Sequence, residues 1–151
     1  MKIVFVCTGN TCRSPMLQHM FADYARKVGF ECETESAGIV GGGSAINPNA
    51  AHVLFVRGMN ADSHVSSVFG DKLAEEADFV FTMTQEQREG LRLRYPKLNV
   101  VSLSDFCGHD ISDPYGLGQF AYDATADLFE EIMPAVLDYI ETHSRDAEKD
   151  A

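Results

Sequence analysis

The run Ile3-Val4-Phe5-Val6, closed by Cys7 and followed by the polar stretch from Thr8 to Ser14, constrains the fold more than any other feature of this chain. Its β-branched and aromatic residues show no polar alternation, which suits a strand covered on both faces, as in a parallel sheet. From Pro15 the period changes. Met16, Leu17, Met20, Phe21, Tyr24 and Val28 recur at helical spacing, and Gly29 ends the run. Ser14 is expected as the N-cap of this helix and Pro15 in its first turn, where a missing N–H costs nothing. The order is strand, short loop, helix.

The rest of the chain repeats that alternation. Residues 32–36 read as a weaker strand, 49–57 as a helix after the glycine-rich 41–44, and 78–83 as a buried strand. A helix is expected over 85–95 before Pro96, a strand over 99–103, and a long helix over about 120–143. Pro134 is expected to disturb the turn before it. The tail from about 144 to 151 is expected to fray. Strands alternating with helices imply one α/β domain over 1–151, built as three layers around a four-stranded parallel sheet. Ligands then bind at the carboxyl ends of the strands.

Composition removes several classes of function. The formal charge of −11 argues against a nucleic-acid surface, which needs clustered Lys and Arg. No apolar run approaches the roughly 18 residues of a membrane span, and the short Ile3–Val6 run does not suit a signal peptide. No membrane association and a cytoplasmic location are expected. Cys7, Cys12, Cys32 and Cys107 form neither a CxxC pair nor a tight cluster with histidine, so neither a metal site nor a disulfide framework is expected. No cofactor is expected either.

Cys7 falls where the first strand ends, and residues 8–12 lead into a helix N-terminus. Unpartnered N–H groups and the positive end of the helix dipole make an anion the natural occupant. Gly9 and Asn10 are the loop residues best able to take left-handed backbone angles, which turns successive N–H groups into a nest. Arg13 offers a planar fork for two phosphate oxygens. A nucleotide-binding loop would need a second glycine followed by lysine, and this stretch has neither. The residues alone therefore suggest a thiolate nucleophile at the floor of an oxyanion cradle. A buried, inert Cys7 is the bland alternative.

The stretch "VCTGNTCRSPM" resembles the signature loop of the low-molecular-weight protein-tyrosine-phosphatase family: cysteine, five residues, then Arg-Ser. "DPYG" (113–116) resembles that family's general-acid loop, and "SAG" (36–38), "SHVSS" (63–67) and "ADFVFTM" (77–83) are smaller matches in the same order. The resemblance implies a phosphocysteine intermediate on Cys7 and phosphoryl oxygens held by Arg13 and the loop amides of Thr8, Gly9, Asn10, Thr11 and Cys12. It implies that Ser14 donates to the Cys7 sulfur, and that Asn10, Ser36 and His64 form a supporting network beneath the loop. Asp113 is the implied general acid, although sequence physics alone does not separate it from Asp110. Pro114 places Asp113 on an extended loop. Tyr115 is either a packing aromatic or a substrate wall.

Thr11 bears on the substrate. Most tyrosine-directed members carry a bulky aliphatic residue there, whereas "CTGNTCRSP" resembles the bacterial protein-arginine phosphatases of the same fold. A hydroxyl can bond a guanidinium, where a branched apolar side chain would line a groove for a phenyl ring. Phosphorylated proteins are the implied substrates, phosphoarginine first and phosphotyrosine second, with inhibition by phosphate or vanadate. A Cys7–Cys12 disulfide would make the enzyme redox-sensitive. After Ser-Pro-Met the family usually has Ala-Glu, and this chain has Leu17-Gln18. An arsenate reductase would need a relay of further cysteines, and a noncatalytic phosphate-binding module would not need both Cys7 and Asp113.

Overall fold

The computed structural model describes residues 1–149. Four parallel strands form one sheet in the order β2-β1-β3-β4: β1 (Lys2–Cys7), β2 (Glu33–Gly38), β3 (Phe79–Thr82) and β4 (Val100–Ser102). Six helices accompany them among the described residues: α1 (Arg13–Lys27), α2 (Pro48–Val56), α3 (Asp71–Glu76), α4 (Gln85–Arg94), α5 (Ser104–Cys107) and α6 (Gln119–Lys149). The short α3 and α5 have no counterpart in the apolar spacing.

The period-two rule explains the layers. Ile3, Phe5 and Cys7 of β1 join Phe79, Phe81 and Val101 in a core with Met16, Leu17 and Phe21 of α1 and Phe129, Ile132 and Val136 of α6. Val4, Val6, Val80 and Val100 point to the other face and meet Phe69, Leu91 and the apolar side of α3. Phe5 anchors the larger core, with its ring centroid 5.5 Å from Phe21 and 5.9 Å from Phe81. Both faces of β1 are therefore dry, as its unbroken apolar run requires.

Strand β1 has its sequence neighbour β2 on one side and β3 on the other, so its carboxyl end lies at the point where the strand order reverses. A crevice opens at such a point in an open α/β sheet. Cys7 ends β1 there.

Some boundaries differ from the sequence reading. Helix α1 begins at Arg13 with Cys12 as its N-cap, so Ser14 is already helical and its hydroxyl is free for another partner. Asn47 caps α2 by accepting the Asn49 N–H at 2.8 Å, with Pro48 in the first turn. Helix α6 runs through Pro134 to Lys149, longer than its apolar stripe. Of the tail expected to fray, positions 150 and 151 lie outside the described residues.

Candidate active site

The loop from Thr8 to Cys12 is held by its carbonyl groups. Ile39 N–H donates to Cys7 O (3.0 Å) and Thr8 O (2.9 Å), Val40 N–H donates to Thr8 O (3.1 Å), and Asn47 N–H donates to Thr11 O (2.9 Å). The Asn10 carbonyl accepts from His64 Nε2 at 2.8 Å, which fixes the proton on that nitrogen because a carbonyl can only accept. Among the described residues, the N–H groups of Gly9, Thr11, Cys12 and Arg13 find no acceptor in the protein. The loop thus binds the Thr8, Asn10, Thr11 and Cys12 oxygens within the fold and keeps these donors for a ligand, at the positive end of α1.

Asn10 takes the left-handed backbone angle, with φ of 57°, and is the only non-glycine residue to do so among those described. Gly9, expected to share that role, has no positive φ. The glycine that the loop needs is Gly38, at the end of β2. A Cβ there would lie 2.8 Å from Thr8 O and 3.1 Å from Gly9 C, so only glycine lets the two backbones approach.

Two donors reach the Cys7 sulfur. Asn10 N–H lies 3.3 Å from Sγ and Ser14 Oγ lies 3.0 Å from it. The direction of the second contact follows from its neighbours. Asn10 Oδ1 accepts from Ser67 N–H (3.0 Å), so its Nδ2 faces Ser14 and donates to Oγ (2.8 Å). A Cys7 thiolate can only accept, so in that state the Ser14 hydrogen turns to the sulfur while Oγ accepts from Asn10. Cys7, Asn10 and Ser14 are all buried.

Arg13 is 5% exposed and reaches across to the loop that carries Asp113. Its Nη1 donates to Ile111 O at 2.8 Å, and its Nη2 lies 3.5 Å from Thr8 Oγ1 and 3.8 Å from Asp113 Oδ2. Ile111 N–H is itself held by Met83 O at the end of β3 (2.9 Å), so the sheet positions the acidic loop. Asp113 accepts the Tyr115 N–H through Oδ1 and leaves Oδ2 toward Arg13, with its side chain more than half exposed. Asp110 is occupied elsewhere: its Oδ1 accepts the Gln85 N–H at the start of α4 (3.0 Å).

Thr11 is partly exposed, and among the described residues its hydroxyl has one hydrogen-bond partner, Cys12 Sγ at 3.7 Å. Cys12 Sγ in turn lies 3.3 Å from the hydroxyl of the fully buried Tyr122. Burial pushes the Cys12 thiol up from its ordinary value, and burial together with the Cys12 contact pushes the Tyr122 phenol up as well. The Tyr115 side chain is 70% exposed and lies at the surface. Ser36 departs from its expected place beneath the loop. Its hydroxyl donates to Gln18 Oε1 at 2.6 Å, and Gln18 Nε2 donates to Thr34 O, so this pair ties α1 to β2. The sequence reading also missed Gln87 of α4, whose side-chain amide donates to Thr8 Oγ1 at 3.1 Å.

A loop that turns its donors outward around a sulfur accommodates a tetrahedral oxyanion bonded to, or attacked by, that sulfur. The fold and site therefore define a cysteine-based phosphatase. Comparison with known proteins places the chain more closely. Residues 2–146 match the family described as low molecular weight phosphotyrosine protein phosphatase. A protein-arginine-phosphatase of Bacillus subtilis is 34% identical over 88% of this chain and 92% of its own length. A low molecular weight protein-tyrosine-phosphatase of Acinetobacter johnsonii is 30% identical over 85% and 90%. A solved structure of the YwlE arginine phosphatase, a mutant with a phosphorylated active-site serine, superposes with a TM-score of 0.88 at 32% identity, covering 96% of this chain and 99% of that one. The chain belongs to the low molecular weight phosphatase family and is a protein phosphatase.

Proposed function

We propose that the chain removes phosphate from arginine side chains of proteins, with Cys7 as nucleophile. The Cys7 sulfur attacks phosphorus, and the P–N bond breaks as Asp113 delivers a proton to the leaving nitrogen. Phosphate remains on Cys7. Asp113 then takes a proton from an attacking water, the P–S bond breaks, and the sulfur leaves as a thiolate beneath the Asn10 and Ser14 donors. Arg13 and the loop amides carry the charge on the three equatorial oxygens.

The observation that carries this reading is the donor pair on Cys7 Sγ, at 3.0 and 3.3 Å, inside a loop whose Thr8, Asn10 and Thr11 carbonyls are bonded to the surrounding fold. Proton delivery matters because a guanidine cannot depart as an anion when guanidinium loses its proton only above about 12. The side chain of Asp113 is exposed enough to meet a substrate.

Thr11 supports arginine. The residue is partly exposed, and beyond its 3.7 Å contact with Cys12 Sγ its hydroxyl oxygen has lone-pair capacity for a guanidinium or a positioned water. A chain with a net charge of −11 also favours a substrate whose side chain keeps a cationic portion over one that carries phosphate alone. Phosphotyrosine is the second reading, favoured by the similarity to the Acinetobacter tyrosine phosphatase. Thr11→Ile tests the choice. It is expected to lower the ratio of phosphoarginine to phosphotyrosine efficiency at least about fivefold in a folded protein, and an unchanged ratio would remove Thr11 from the specificity.

Phosphate and vanadate are expected to inhibit by occupying the same cradle. A cytoplasmic setting goes with this chemistry, because the mechanism needs a free thiol and all four cysteines are free. After peroxide has made a sulfenic acid on Cys7, Cys12 condenses with it to a disulfide that thiols reverse. Cys12→Ala is therefore expected to regain a smaller share of its own starting activity than wild type after peroxide and then thiol. Equal recovery would dismiss Cys12 as the resolving partner.

A further inference from the structure

Gln87 stands outside the phosphate loop, in the first turn of α4, yet its side chain ends at that loop. Its Oε1 accepts two backbone N–H groups, from Met83 at 3.0 Å and Thr84 at 3.2 Å. Thr84 completes the exchange by accepting the Gln87 N–H on its hydroxyl at 3.1 Å, a capping box. Two donors on the oxygen settle which end of the amide is which, so Nε2 must face Thr8 and donate to Oγ1 at 3.1 Å.

The geometry points to Gln87 as a positioning residue for the oxyanion, acting through the Thr8 hydroxyl; this rests on the phosphatase reading above. A hydroxyl has two lone pairs and one hydrogen. Gln87 Nε2 and Arg13 Nη2, the latter at 3.5 Å, approach the Thr8 oxygen as donors. The Thr8 hydrogen must then go to a third group, and among the described residues the protein supplies no acceptor for it. A cavity of about 590 Å³ lined by Thr8, Arg13 and Gln87 opens at that point. Thr8 therefore presents an O–H donor beside the Arg13 fork, and an oxygen of the phosphoryl group is the acceptor that the site chemistry brings there. Gln87 sets the rotamer of that donor and ties it to the end of β3 through the cap of α4.

The side chain holds two roles that one substitution separates. Gln87→Glu keeps an oxygen for the Met83 and Thr84 N–H groups, and glutamate serves a capping box as well as glutamine does. It has no N–H for Thr8. The variant is expected to melt within about 4 °C of wild type. Its affinity for inorganic phosphate, measured by calorimetry, should fall at least about fivefold, and kcat/KM on a phosphoarginine peptide should fall about tenfold. The same change placed in a Thr8→Val background, where the hydroxyl is gone, should alter either quantity by less than about twofold. Undiminished phosphate affinity in a folded Gln87→Glu protein overturns the inference. A loss of equal size in the Thr8→Val background overturns it too, because the added charge alone would then explain the effect. Phosphate affinity decides the matter even if wild type releases no phosphate from peptides, an outcome that would count against the phosphatase reading instead.

Discussion

Asp110 and Asp113 stand in one short loop and look alike in sequence, and their hydrogen bonds tell them apart. Asp110 is spent on the Gln85 N–H at the start of α4, whereas Asp113 keeps Oδ2 near Arg13, 3.8 Å from Nη2. With Asp113 as the acid, Asp113→Asn should slow turnover about 10²- to 10⁴-fold for poor leaving groups and far less for an activated phenol that departs unaided. Asp110→Asn should leave that leaving-group dependence intact and cost about 1 kcal/mol or less of stability through the helix start. Rates on a series of aryl phosphates of graded leaving-group pKa check both. The reverse pattern would transfer the acid role to Asp110. At this scale the signature was legible wherever partners are close in sequence: Cys7, Asn10 and Ser14 lie within one loop and one helical turn. Gln87 was not legible, because its partner Thr8 is 79 positions away and only the fold brings them together. Ser36 misled for a similar reason. Its partner is Gln18, the position where this chain departs from the Ala-Glu of its family.

Secondary-structure elements show the same division between local and distant constraint. Strand β1 and helix α1 could be read because burial on both faces of a strand and on one face of a helix each leaves a period in the sequence. The small helices α3 and α5 are too short to show one. Glycine at the loop was misassigned because a local rule was applied to a long-range constraint. Gly9 and Asn10 were both expected to supply backbone freedom, and Asn10 alone takes the left-handed angle, while Gly38 is required by the passage of β2 beside the loop. Gly38→Ala should therefore destabilise the protein by about 1–3 kcal/mol, since its Cβ would press on the backbone at Thr8 and Gly9. Gly9→Ala meets nothing closer than 3.9 Å and should change stability by less than about 1 kcal/mol. Denaturant titration of the two variants distinguishes the cases, and equal losses would contradict the assignment of the close contact to Gly38.

For the molecule as a whole, the order β2-β1-β3-β4 sets where chemistry can occur. It puts the end of β1 at the reversal of the sheet, lets β2 brace one side of the loop through Ile39 and Val40, and lets the end of β3 hold the acidic loop through Ile111. Alternation of strands and helices made this class of fold readable, because parallel strands need helical crossovers. The strand order itself was not readable, since nothing local records which strand neighbours which. The proposed preference for arginine rests above all on Thr11, whose hydroxyl lies beside Cys12 Sγ in the loop that follows β1. The most direct measurement is phosphate release from two peptides of one sequence, one bearing phosphoarginine and the other phosphotyrosine, with Cys7→Ser alongside. Wild type should show the higher kcat/KM on phosphoarginine, and Cys7→Ser should release phosphate from neither. Higher efficiency on phosphotyrosine would contradict the arginine assignment, and turnover by Cys7→Ser would contradict the cysteine mechanism itself.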